Sequence, residues 1–222
     1  MIYHHHITTS LSAKAYAQIR QMIVRLELPP GAVIREDALQ ERLALGRTPI
    51  REALQALVRD QFVTVIPRRG MFVSSIDVGE LGLLYETRAI LEPYVTRLAC
   101  TRGTDANWAE MREVLADARG GVPAELMEHD RRCHEIVWSA AGNRFLTDTL
   151  DMLYAQSDRL WHMYLADVDD MEHALAEHSA ILDALQAHDS DFAAELVEAH
   201  IRAFDAQIRA AVARRLQPPL AG

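Results

Sequence analysis

Gly46-Arg47-Thr48-Pro49-Ile50-Arg51-Glu52-Ala53-Leu54-Gln55-Ala56-Leu57-Val58-Arg59 is the stretch on which the reading of this chain turns. Ile50, Leu54, Leu57 and Val58 recur at i, i+4, i+7 and i+8, the spacing of an α-helix with one apolar face. Thr48-Pro49 starts that helix over 48–60: a hydroxyl caps it, and proline in the first turn lacks only an N–H that would be unpaired anyway. Arg47, Arg51 and Gln55, spaced by four, line the opposite face, with Thr48, Glu52 and Arg59 beside them. Arginine bonds guanine bidentately, glutamine does the same to adenine, and the N-terminal residues of a helix lying in a major groove reach the base edges. One face packs; the other reads either as a solvated basic face or as one suited to a major groove.

The flanking sequence fits that assignment. Upstream, Leu11, Ala15, Ile19, Ile23 and Leu26 mark a helix over 11–26, ended by Leu28-Pro29-Pro30-Gly31. A short helix over 36–44 turns Ala38, Leu39 and Leu43 inward. Downstream the period changes. Phe62-Val63-Thr64-Val65-Ile66 reads as a strand, Pro67-Arg68-Arg69-Gly70 as a turn and Met71-Phe72-Val73-Ser74-Ser75 as the returning strand. Arg68 and Arg69 at the hairpin tip suit phosphates or an adjacent minor groove. Residues 1–10, with His4, His5 and His6, read as a flexible lead.

The charge changes sign along the chain. The 222 residues carry a formal charge of −9. Residues 1–76 contain ten Lys/Arg against six Asp/Glu, and residues 77–222 contain thirteen against twenty-six. A small basic piece is therefore joined to a large acidic one, which excludes non-specific nucleic-acid binding by the whole chain but not by its first third. No charge-free stretch is long enough to cross a membrane, no secretory leader is recognisable, and two cysteines, Cys100 and Cys133, make no disulfide framework. A cytoplasmic protein with reduced thiols is expected.

Beyond residue 77 no strand pattern occurs. Helices are expected over about 77–101, 105–118, 123–140, 144–165, 170–187 and 190–215, broken by Gly103, Gly120-Gly121-Val122-Pro123, Gly142-Asn143, Asp167 to Asp170 and His188-Asp189-Ser190. The breaks are short, so neighbours should run antiparallel. The fold class expected is mainly α: a winged helix-turn-helix over 1–76 and an antiparallel six-helix bundle over 77–222.

Inward stripes of the bundle carry residues that do not belong in an apolar core. On the third bundle helix the stripe is Leu126, Asp130, His134, Val137, Ala141, which sets Asp130 and His134 about 6 Å apart on one face. On the fifth, His178 shares a stripe with Ile181, Leu182 and Leu185; on the sixth, His200 shares one with Leu196, Val197 and Phe204. The turn between those two helices centres near Asp189, eleven residues from each histidine. Equal offsets in an antiparallel hairpin mean equal height, about 16 Å along each helix. A lone inward histidine is usually a satisfied core residue; if the Asp130/His134 helix packs at that level, one carboxylate and three imidazoles converge as a ligand set for Zn²⁺, Ni²⁺ or Mn²⁺ rather than Ca²⁺. On the first bundle helix, Leu81, Leu84, Arg88, Leu91, Val95 and Leu98 form a stripe with an arginine in it. Arg88 is expected either to pair with Glu92 or to hold a ligand carboxylate by its planar fork. His129, His162, His173 and His188 fall off the stripes and read as surface or cap residues.

Residues 11–75 resemble the winged helix-turn-helix of the GntR family of transcription regulators, on Gly46-Arg47-Thr48-Pro49-Ile50-Arg51-Glu52-Ala53-Leu54, Leu57 and Pro67-Arg68-Arg69-Gly70-Met71-Phe72-Val73. The resemblance implies that Arg47, Thr48 and Arg51 contact an operator and that Gly70 sits at the wing tip. Ala44 stands where a glycine is usual and Gly46 where a Ser or Thr often precedes the arginine. Asp37 stands where a basic residue is common, and Arg35 is the substitute for it. Residues 77–215 are similar to the FCD ligand-binding domain of the FadR subfamily, on Tyr85-Glu86-Thr87-Arg88-Ala89-Ile90-Leu91-Glu92-Pro93, Asp130-Arg131-Arg132-Cys133-His134, Gly142-Asn143, Glu177-His178 and Glu198-Ala199-His200. In metal-containing members the ligands are an Asp, a His four later and two more His, and all four are present here. Six helices rather than seven resemble the VanR-type branch. The resemblance also implies a homodimer, a small organic-acid effector beside the metal, and Asn143 next to Arg88 in the effector site.

The function expected is a DNA-binding repressor controlled by such an acid. Two other classes compete. His129-Asp130 is the dipeptide of HD-type metal-dependent hydrolases, but the two residues point about 100° apart on a helix. An architectural DNA-binding protein without effector has no use for Arg88 and four metal-ligand types on inward stripes.

Overall fold

The computed structural model describes residues 10–118, 121–164 and 171–216. The His4–His6 lead, Gly120 and the break at Asp167 to Asp170 lie outside the described residues. The chain divides into two compact units, Met1–Ile76 and Asp77–Gly222.

In the first unit, α1 (Leu11–Val24) starts at Ser10, whose Oγ accepts the Ala13 N–H at 3.1 Å. β1 (Val33–Ile34), α2 (Glu36–Leu43), α3 (Arg47–Arg59), β2 (Val63–Ile66) and β3 (Gly70–Val73) follow. α3 buries Ile50, Ala53, Leu54 and Leu57 and packs on α1, which buries Ala15, Ile19 and Ile23. Its other face is left to solvent, as the two-faced pattern requires. The expected hairpin is in fact part of a three-stranded antiparallel sheet in the order β1-β3-β2, with Val33 opposite Phe72 and Ile34 opposite Met71. A two-residue strand is too short to leave a period in the sequence. At the hairpin tip the Arg69 N–H donates to the Ile66 carbonyl at 3.0 Å, so Pro67 and Arg68 take the central turn positions, and Arg68 adopts φ +63°.

In the second unit a single turn, Val78–Glu80, leads into α4 (Leu81–Arg102), followed by α5 (Asp105–Asp117), α6 (Pro123–Ala140), α7 (Arg144–Tyr164), α8 (Met171–Gln186) and α9 (Ser190–Leu216). α4 packs on α6, α7 and α9, and α8 packs on α6 and α9. No described helix is long and apolar enough to cross a membrane. The expected stripe on α4 is rotated. Tyr85, Arg88, Glu92, Val95, Thr96 and Ala99 are buried, Leu84, Leu91 and Leu98 are half-buried at the edge, and Leu83, Ile90 and Tyr94 are exposed. Apolarity misplaces this face because its buried polar residues are tied to partners inside the bundle.

Ala44 ends α2 in the left-handed region, at φ 51° and ψ 42°. That conformation costs an L-residue roughly 1–2 kcal/mol, whereas glycine loses roughly 0.5–1 kcal/mol through its freer unfolded chain. Ala44→Gly is therefore expected to stabilise the first unit by up to about 1 kcal/mol. Denaturant titration of both proteins checks this, and a lower midpoint for Ala44→Gly would contradict it.

Candidate metal centre and DNA-reading helix

The bundle brings Asp130, His134, His178 and His200 together, each buried, with one potential ligand atom from each lying within 4.8 Å of all the others. α6 supplies Asp130 and His134 one turn apart, while α8 and α9 supply His178 and His200 at the same height, their ring centroids 4.5 Å apart. The three Nε2 atoms face Asp130: His178 Nε2 lies 2.8 Å and His200 Nε2 3.4 Å from Oδ1, and His134 Nε2 lies 3.8 Å from Oδ2. His134 Nε2 and His200 Nε2 are 3.3 Å apart. Tetrahedral Zn²⁺ with ligands near 2.0–2.1 Å would set neighbouring ligand atoms about 3.3 Å apart. The residues present fit a first-row divalent ion.

A second layer of contacts fixes the orientation of this set. His134 Nδ1 is 2.7 Å from Glu92 Oε2, and His200 Nδ1 is 2.7 Å from Glu177 Oε2. Glu177 is hydrogen-bonded to His200 Nδ1 and Glu92 faces His134 Nδ1 at ion-pair distance, so carboxylates back both rings and their Nε2 atoms are turned inward, the arrangement that orients metal-binding histidines. The Tyr154 hydroxyl donates to Asp130 Oδ2 at 2.7 Å, leaving Oδ1 toward the imidazoles. His178 Nδ1 is buried with no hydrogen-bond partner among the described residues. Glu92, Glu177 and Tyr154 escaped the sequence reading as members of the site. The one available signal was Glu92 at i+4 from Arg88.

Charge in this space is unevenly shared. Burial raises the Asp130 pKa, but hydrogen bonds from His178 and His200 outweigh it and hold Asp130 well below the usual carboxylate range. Burial together with the charge of His200 pushes His178 down to about 4. Burial would lower His200 too, yet Asp130 and Glu177 lift it to about 9. At neutral pH the proton sits on His200, in the place a cation would take.

Arg88 is buried, and its Nε donates to Glu92 Oε1 at 2.6 Å, so the pairing expected for it is present. The guanidinium also lies 4.9 Å from the Tyr154 ring centroid and lines a narrow cavity with Asp130, His134, Tyr154, Trp161 and Phe204. The cavity has room for about one water molecule. Asn143 does not join this wall. Its Oδ1 accepts the backbone N–H of Phe145 at 3.2 Å and caps α7, the use to which an asparagine just before a helix is best suited. His129 Nδ1 lies 2.7 Å from the Glu125 carbonyl of its own helix, apart from Asp130's cluster.

On the first unit, Arg47, Thr48, Arg51 and Gln55 are exposed along α3, and Arg35, which precedes α2, is exposed as well. Arg68, Arg69 and Gly70 form the exposed tip of the hairpin, where Gly70 takes φ +104°.

Residues 11–73 match the profile described as bacterial regulatory proteins of the gntR family, and residues 83–203 match the FCD domain. The chain belongs to the GntR family. The Nta operon transcriptional regulator of Aminobacter aminovorans is 32% identical over 184 residues, covering 82% of this chain and 86% of that protein. The HTH-type transcriptional repressor RspR of Escherichia coli K12 is 25% identical over 206 residues, covering 91% and 90%. The solved structure of E. coli McbR/YncC aligns at a TM-score of 0.79 with 20% identity, covering 94% of this chain and 99% of that one, and shares the fold. This GntR-family member is a transcription regulator and not an enzyme. FCD domains often hold metals, and the buried His/Asp cluster is one that could.

Removing either backing carboxylate, by Glu92→Gln or Glu177→Gln, is expected to weaken zinc binding by about 10–100-fold, whereas His129→Ala, at a ring bonded to the Glu125 carbonyl of its own helix, should leave it unchanged. Because His200 titrates near pH 9 without metal, zinc must displace a proton at neutral pH, and its affinity should rise about tenfold per pH unit up to that value. Competition with a chromophoric chelator at several pH values measures both effects. A pH-independent affinity would contradict the assignment.

Proposed function

We propose that this regulator is a cytoplasmic repressor that binds a two-fold operator as a homodimer and is released by a small carboxylate held beside a divalent transition metal. The observation that carries the metal half is the convergence of three imidazole Nε2 atoms on one buried carboxylate, with Glu92 and Glu177 backing two of the rings. Asp130, His134, His178 and His200 are the ligands, for Zn²⁺ ahead of Ni²⁺ or Mn²⁺, in a five- or six-coordinate arrangement in which these four N/O donors leave at least one position open. When bound, the ion supplies a Lewis-acid point for a carboxylate oxygen. The exposed stripe Leu83, Ile90 and Tyr94 on α4 supports self-association, because apolar surface repeated along one helix is what a two-fold interface covers.

In the first unit Arg47, Thr48, Arg51 and Gln55 meet base edges, while Arg35, Arg68, Arg69 and Gly70 meet backbone or minor groove. In the second, Arg88 takes a second point of the effector. Since the cavity holds about one water, the effector-bound form differs from the closed one. That difference is what permits a ligand to shift an operator-binding equilibrium. An HD-type hydrolase would need His129 at the cluster, and it is bonded to its own helix instead.

Operator titration at several salt concentrations tests the DNA half. Arg51→Ala is expected to cost about 1–3 kcal/mol and to relax specificity at one position per half-site; unchanged binding and specificity would defeat it. A thermal-shift screen of zinc-loaded protein against mono-, di- and hydroxycarboxylates tests the effector half. Arg88→Lys keeps the charge but loses the fork, so calorimetry with the best carboxylate should show weaker binding at unchanged metal content. Equal affinity in both proteins would leave Arg88 as a structural partner of Glu92 alone.

A further inference from the structure

Glu36, the first residue of α2, sits between Arg47 and Arg51 of α3. Its Oε2 lies 3.7 Å from Arg47 Nε and its Oε1 lies 3.7 Å from Arg51 Nε. One carboxylate thus spans two guanidinium groups a helical turn apart, one oxygen to each. The arginine side chains are 71% and 55% exposed and the glutamate 29%. Ion pairs this open to water contribute little to stability, so the arrangement has to be read for what it does to the reading face.

We infer that Glu36 is a positioning residue that holds Arg47 and Arg51 for base reading and penalises their use on phosphate. Four features of the geometry carry this. Both contacts are made at Nε, which leaves the two Nη groups of each arginine available as a fork for guanine O6 and N7. Two like charges at i and i+4 repel, and a carboxylate between them removes that repulsion, so the pair need not splay apart. A carboxylate carried on the reading face is itself repelled by phosphate, and an arginine that swings to a phosphate has to abandon its contact with Glu36. Finally, Glu36 belongs to a different helix from the arginines, so its position relative to them is fixed by the packing of α2 on α3 and not by side-chain rotamers alone. Sequence-independent binding is therefore weakened more than operator binding, and the ratio of the two is what Glu36 raises. The inference rests on the DNA-binding reading above and is independent of the metal and the effector.

The test uses the full-length protein and two duplexes of equal length: one enriched by the wild type from a randomised pool, the other of mixed sequence. Glu36→Gln removes the charge at constant shape. It is expected to bind the mixed duplex several-fold more tightly, to steepen its salt slope by about one unit, and to lower the ratio of enriched to mixed affinity at least about fivefold. Glu36→Asp keeps the charge and the favourable acid in the first turn of α2 but is one methylene too short to span both arginines. It is expected to lose discrimination with the salt slope of the wild type, which separates the bridge from bulk charge, and melting curves confirm that both variants fold. An unchanged ratio in both variants would overturn the role of Glu36. A wild type that enriches no sequence would overturn the DNA reading itself, and the inference with it.

Discussion

A carboxylate withdrawn from bulk solvent governs the helical unit. Asp130 is 2% exposed, and an ionised carboxylate taken out of water is tolerable only if other groups replace its hydration. Here the replacements come from three other helices as well as its own: His134 on α6, Tyr154 on α7, His178 on α8 and His200 on α9. α4 enters one step out, through Glu92 on His134. The relative placement of five helices is therefore written into one polar cluster, and shifting any of them leaves a buried donor or acceptor unpaired. A metal bound at that point is felt by every helix that feeds it, a property a sensor domain requires.

The charge balance around the cluster says which occupant suits it. Asp130, Glu92 and the more solvated Glu177 bring three carboxylates, and Arg88 returns one positive charge. Two more positive charges are wanted. The raised pKa of His200 shows the cluster drawing one of them from a proton. A divalent cation would supply both and take the place of that proton, so the charge balance supports the proposed metal. The second unit and the first use opposite tactics with the same residue types. In the bundle, Glu92 pairs with Arg88 under burial, where separating the pair is costly. On α3, Glu36 pairs with Arg47 and Arg51 in solvent, where separation is easy and the arginines stay available to DNA.

Much of this was legible in the sequence, for reasons that differ by element. α3 showed itself because its two faces differ so sharply: Ile50, Leu54 and Leu57 against Arg47, Arg51 and Gln55. The meeting of His178 and His200 followed from helix geometry alone, since residues at equal distance from a tight antiparallel turn must lie level. Three things were illegible. β1 has two residues and no period. The buried face of α4 was rotated toward Leu84, Leu91 and Leu98, because Glu92 and Thr96 count as surface residues in any pattern built on apolarity, although each is buried with a partner. Asn143 was given a ligand role on its sequence neighbourhood, while the helix that starts one residue later claimed its side chain. In each case a specific tertiary or capping partner outweighed a pattern that sees only neighbours in sequence.

The walls of the small cavity are unequal, and that inequality bears on how it opens. Tyr154 is tied through its hydroxyl to Asp130 at 2.7 Å, and the Trp161 indole N–H donates to the Tyr85 hydroxyl at 3.0 Å. Arg88 is tied to Glu92. Moving any of these breaks a buried polar contact as well as packing, and each such contact carries the full desolvation cost of the group left behind. Phe204 has no polar group to lose. It touches the His200 and Trp161 rings at centroid separations of 4.6 and 4.5 Å and sits one turn beyond His200 on α9. Displacing it forfeits dispersion contacts that a ligand entering the same space restores. The α9 side is thus a soft wall of the cavity, and the helix that forms it also carries His200, so enlarging the cavity and disturbing the Asp130/His134/His178/His200 cluster are mechanically one event.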